Sequence, residues 1–150
     1  MSPPRDSRTL DLFAWQPTPP VIRHAEEIRA ASLGARVSKA VSLAMKESSR
    51  TRDEIAEAMG AYLGRPVSKA MLDAWASESR DSHNISTVNL VALIQATGDH
   101  RLLGMLADLF GLAVIPERYV GAVEEALAND KIRELEERAK LARRRWKGGA

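Results

Sequence analysis

A chain of 150 residues with no cysteine has room for one globular domain plus appendages, and it excludes disulfides, thiolate metal sites and a thiol nucleophile. Apolar residues are 45% and charged residues 28%, which excludes a disordered chain, while 5% aromatic content and abundant Ala, Leu, Glu and Arg point to an all-α fold. The net charge of +2 is too small to argue for nucleic acid by itself.

Residues 1 to about 20 hold five of the seven prolines and no helical period, so they read as an extended, disordered arm, with residues 1–34 as the arm overall. Within it, Leu10, Leu12, Phe13 and Trp15 form an apolar motif that tucks onto its own domain, packs on a sister subunit or docks on a protein partner. Val21 to Ser32 can add a further short helix. No stretch approaches about 18 consecutive apolar residues and the start lacks the apolar core of a secretory signal, so the expected location is the cytoplasm, with no membrane contact.

The core domain is expected over residues 35–116. Val37, Ala40, Val41, Ala44 and Met45 carry the spacing of one buried helical stripe, ending near Ser48. Thr51 offers an N-cap for a second helix, with Asp53 and Glu54 in its first turn, a stripe of Ile55, Ala58, Met59, Tyr62 and Leu63, and a stop at Gly64-Arg65-Pro66. Ser68 can cap a third helix running to about Arg80, burying Met71, Leu72, Trp75 and Ala76 and leaving Lys69, Ala70, Asp73, Ser77 and Arg80 toward solvent. A fourth helix from Ser86 or Thr87 is apolar nearly all round, through Val88, Leu90, Val91, Leu93 and Ile94. Gly98-Asp99 ends it and opens a fifth, whose core residues are expected to be Leu102, Leu103, Leu106, Leu109 and Phe110.

Leu112 to Ile115 reads as a connector before Pro116. The third region, 117–150, carries one long helix from Tyr119 to about Lys147, with Val123, Leu127, Ile132 and Leu135 as its oligomerisation stripe. Charge is uneven: net zero over residues 1–35, +2 over 36–80, −2 over 81–118 and +2 over 119–150. Arg138, Lys140, Arg143, Arg144, Arg145 and Lys147 follow one another with no acid between them. Such a tail grips a DNA backbone, ends an interchain helix with cations at the dipole's negative pole, or binds another acidic surface.

The run Thr51-Arg52-Asp53-Glu54-Ile55-Ala56-Glu57-Ala58-Met59-Gly60, then Val67-Ser68-Lys69-Ala70-Met71-Leu72, then Leu90-Val91-Ala92-Leu93-Ile94 resembles the helix-turn-helix of phage repressor and Cro proteins. Asn84-Ile85-Ser86 and Ala96-Thr97-Gly98-Asp99-His100-Arg101-Leu102-Leu103 are similar to CII-type regulators of temperate phages. The resemblance covers about residues 36–112 and implies a five-helix core and double-stranded DNA as partner. It further implies a recognition helix at about Ser68–Arg80 in the major groove, with Ser68, Lys69, Asp73, Ser77 and Arg80 as its base-reading face. One departure is the stretch Ala61 to Pro66 between Gly60 and Val67, which lengthens the second helix by about a turn and alters the docking angle of the third.

Arg50, Arg52 and Arg65 flank the second helix where phosphate contacts are expected, joined by Arg143, Arg144, Arg145 and Lys147 of the tail. His24, His83 and His100 have no metal-ligand spacing, and no phosphate loop or nucleophile elbow occurs, so the expectation is a non-enzyme without cofactor or metal. The expected function is a homo-oligomeric DNA-binding regulator, dimer or tetramer. The alternative is an adaptor that recruits a partner through Leu10–Trp15. Thr9-Leu10-Asp11-Leu12-Phe13 also resembles the peptide that binds bacterial replication clamps, with Thr9 where that peptide usually has Gln.

Overall fold

The computed structural model describes residues 21–24, 28, 30–79 and 83–148, and the motif Leu10, Leu12, Phe13 and Trp15 lies outside them, as does Arg80. Six α-helices make an all-α protein: α1 Leu33–Glu47, α2 Arg52–Leu63, α3 Lys69–Trp75, α4 Thr87–Thr97, α5 Arg101–Asp108 and α6 Val120–Lys147. Four begin on a side chain that satisfies an otherwise unpaired helical N–H. Ser32 accepts from Ala35, Ser68 from Met71 and Ser86 from Asn89. Thr51 forms a full capping box: its hydroxyl accepts from the Glu54 N–H and the Glu54 carboxylate accepts from the Thr51 N–H at 2.6 Å. Gly64 and Gly98 end α2 and α4 at φ 65° and 71°, a region that a residue with a Cβ enters only at a cost.

The core is built by α1 to α5. Val41, Ile55, Met59, Leu72, Leu93, Leu102 and Met105 are fully buried, with α2 packed on α4 and α3, and α1 on α5 and α3. Apolar pattern overstates the core at several positions. Tyr62 of α2 and Val88 and Val91 of α4 stand about half exposed, while Ala56 is buried and the expected Ala58 packs partly buried against the core beside it. At the end of α5, Leu109 and Phe110 lie past the last helical residue, and Phe110 is 77% exposed rather than core.

Part of the stretch read as an arm lies on this core. Ile28 is buried, and the Ile22 N–H donates to the Val114 carbonyl at 2.9 Å in an isolated antiparallel bridge, so the connector after α5 holds the incoming chain. Val21–His24 is extended rather than helical. The Ile22 carbonyl sits directly against Gly104 of α5, where a Cβ would collide with it. That approach explains a glycine in mid-helix, a position where it otherwise costs about 1 kcal/mol against alanine.

The turn between α4 and α5 is tied to α1. Thr97 Oγ1 donates to the Leu93 carbonyl, Asp99 takes two hydrogen bonds from the Arg101 guanidinium at 2.7 and 2.8 Å, and Arg101 also reaches Glu47. Asp99 is held below its ordinary pKa by these bonds, and the Arg101 guanidinium is raised further by them. The string Ala96 to Leu103, which carries much of the phage-regulator resemblance, therefore does architectural work here.

After a 3₁₀ turn at Glu117–Tyr119, α6 leaves the core, and every one of its 28 residues is exposed. No helix among the described residues is long and apolar enough to cross a membrane.

Candidate nucleic-acid interface

A short helix reads a groove only if its back is anchored and its front is bare. In α3 the anchors are Leu72 and Trp75, both buried, with Met71 partly buried beside them. Ser68, Lys69, Ala70 and Asp73 stand exposed in front. The long turn from α2 is closed at Gly60: the N–H groups of Gly64 and Arg65 both bond to the Gly60 carbonyl, and a Cβ on Gly60 would press on the Arg65 carbonyl at 3.2 Å. Gly60 thus lies inside α2, and Gly64 ends it one turn later.

The third helix is shorter than expected. It stops at Trp75, not near Arg80: the Ala76 N–H makes the last bond of the helical pattern, to the Leu72 carbonyl, and the Ser77 N–H tightens onto the Ala74 carbonyl three residues back. Ser77 is half-buried beyond the helix, so it leaves the face that Lys69 and Asp73 share. The Ser68 hydroxyl is occupied as the N-cap at 3.2 Å from the Met71 nitrogen.

Each of the three arginines around α2 has a partner within the fold. Arg50 donates to the Ala96 carbonyl at 2.9 Å, placing a cation at the C-terminal end of α4 where the helix dipole favours it. Arg65 donates to Oδ1 of Asn89, a buried polar side chain that would otherwise lack a partner. Arg52 pairs with Asp73, joining α2 to α3, and Lys69 Nζ lies 4.0 Å from Asp53. The α2–α3 face is therefore charge-compensated. Spacing in the chain carries no signal of these long-range pairs, so Asp53 and Asn89 escaped notice as partners.

The exposed ion pairs are weak, since such contacts contribute about 0–1 kcal/mol and are screened by salt. Arg52 and Asp73 keep 36% and 48% of their side-chain surface, so a phosphate oxygen competes directly for the guanidinium. The strongest uncompensated charge lies elsewhere. Arg143, Arg144, Arg145 and Lys147 are exposed on the last turns of α6 and make no ion pair among the described residues. Among the described residues no three His, Asp or Glu side chains gather as metal ligands.

Val123, Leu127, Ile132 and Leu135 are all exposed, at 44% to 64%. They lie on a helix separate from the α2–α3 face. Comparison of the chain with family models, with curated proteins and with solved structures finds no match.

Proposed function

We propose that the chain is a non-catalytic, cytoplasmic DNA-binding regulator of phage or prophage type, acting on double-stranded DNA as a homo-oligomer. The observation that carries this reading is the exposed first turn of α3, where Lys69 and Ala70 stand in solvent on a helix fixed from behind by Leu72 and Trp75. In this account Lys69 and Asp73 meet base edges, and Arg52 exchanges Asp73 for a phosphate. The α6 cations at Arg143, Arg144, Arg145 and Lys147 add sequence-independent attraction to the backbone. Arg50 and Arg65 bond the scaffold through one nitrogen each and stand exposed, so each keeps donors for a phosphate.

Fluorescence-anisotropy titration of duplex DNA with the wild type and with Lys69→Ala tests this. Weaker binding and a shallower salt dependence in the variant support the face; equal affinity removes it. A second reading, an adaptor that recruits a protein, is favoured by the charge compensation of Arg52 with Asp73 and Lys69 with Asp53. Its mark is a pulled-down partner lost on deleting residues 8–15, with DNA binding absent throughout.

A further inference from the structure

A helix in water draws most of its stability from packing an apolar face, and α6 packs none. Its internal ion pairs, Lys131 with Glu134, Asp130 with Arg133 and Glu137 with Lys140, are exposed contacts of about 0.2–0.5 kcal/mol each. Against that stand Ile132 and Leu135, each about half exposed, and Trp146 at 79%, which share one face of the helix, while Val123, Leu127 and Leu141 lie on the opposite one. An apolar stripe on an otherwise unsupported helix is a surface made to be covered.

The charge along α6 says what covers it. Val120 to Glu137 holds six acids and two bases, whereas Arg138 to Lys147 holds six cations and no acid. Two parallel copies would set cations against cations. Two antiparallel copies set each basic end beside residues 120–129 of the other, which hold Glu124 and Glu125 and no cation, and also oppose the helix dipoles. We infer that α6 pairs with α6 of a second copy of this chain, antiparallel, with the two-fold axis between Arg133 and Glu134.

In that register Ile132 of one copy meets Leu135 of the other, Arg143 meets Glu124 and Ala142 meets Glu125. Trp146 meets Gly121, beside which an added Cβ touches nothing. With a rise of about 1.5 Å per residue, α6 spans about 42 Å, so the pair carries its two cores at opposite ends. The inference rests on the self-association in the proposed function and not on its DNA contacts.

Because the chain has no cysteine, introduced thiols report the direction of pairing directly. Glu125→Cys and Ala142→Cys chains, alone and mixed, are treated with a short bis-maleimide and the products resolved by mass. The expected result is a mixed cross-linked pair that predominates over either self-linked product. Light scattering without DNA is expected to give a dimer that Leu135→Glu converts to monomer and that weakens as salt is raised. Self-linked products in each single variant would mean parallel pairing, and a monomeric wild type at high protein concentration would mean a different occupant of the stripe. Either result overturns the inference while leaving DNA binding to be judged by its own titration.

Discussion

Arg52 of α2 and Asp73 of α3 hold each other across the turn between the two helices, so the cation proposed for phosphate and the acid proposed for base edges are one ion pair. Removing the acid frees the cation and also removes a negative charge from the approach of DNA. Asp73→Ala is expected to bind mixed-sequence duplex several-fold more tightly. The slope of log affinity against log salt should stay that of the wild type, in which Arg52 already leaves Asp73 for a phosphate, whereas Arg52→Ala should make it shallower by about 0.9. Titrations at several salt concentrations measure both, and an Arg52→Ala slope equal to that of the wild type would show that Arg52 stays off the backbone.

Gly104 makes a separate prediction, about the incoming chain. A Cβ there collides with the Ile22 carbonyl, which is backbone and cannot swing aside as a side-chain tip would. Gly104→Ala should destabilise the fold by about 1–3 kcal/mol, the range for overpacking, even though alanine is the better helix former. Denaturant unfolding measures the loss. Hydrogen exchange should show the Ile22 N–H losing protection, while the α4 core about Leu93 keeps its own.

Thr51 is the reciprocal partner of Glu54 in the capping box, and that bonding lowers the Glu54 carboxyl below its ordinary pKa. Thr51→Ala should cost about 1 kcal/mol of stability. The hydroxyl bond is lost but the backbone N–H remains, so the Glu54 pKa should rise in NMR titration without the lowering being abolished.

Acid lability follows from two depressed groups. His24 lies below its ordinary value of 6.5, chiefly through burial and then through the charge of Arg101; Asp99 lies below 3.8, chiefly through the Arg101 hydrogen bonds. In both cases the unfolded chain takes up the proton first, so each contribution is complete above the ordinary value and is lost as pH falls through the folded one. Unfolding free energy against pH should therefore decline in two stages, one beginning below 6.5 and one below 3.8. His24→Leu should flatten the first. Asp99→Asn should flatten the second and also lower stability at neutral pH, by depriving Arg101 of its two-point partner.

Much of the helical order was legible because it rests on local chemistry. Ser68, Thr51 and Ser86 cap where hydroxyl residues precede helical stripes, and Gly64 and Gly98 stop helices where a left-handed residue is needed. What was not legible depends on distance in the chain. The third helix ends at Trp75, where the Ser77 N–H tightens onto the Ala74 carbonyl, and Phe110 is exposed because α5 stops before it. Arg50 and Arg65 stand exposed in turns as the sequence suggests, and what it does not show is their bonding to Ala96 and Asn89 of α4. No periodicity announces such tertiary pairs.

Binding of duplex DNA by this helical core with its basic α6 end is the property on which the proposed function stands. Anisotropy of labelled mixed-sequence duplex titrated with the wild-type chain at about 50 and about 200 mM salt tests it most directly. The account predicts binding at the lower salt that weakens by at least tens-fold at the higher, as about three or more phosphate contacts require. Absence of binding at the lower salt, or binding indifferent to salt, would contradict it.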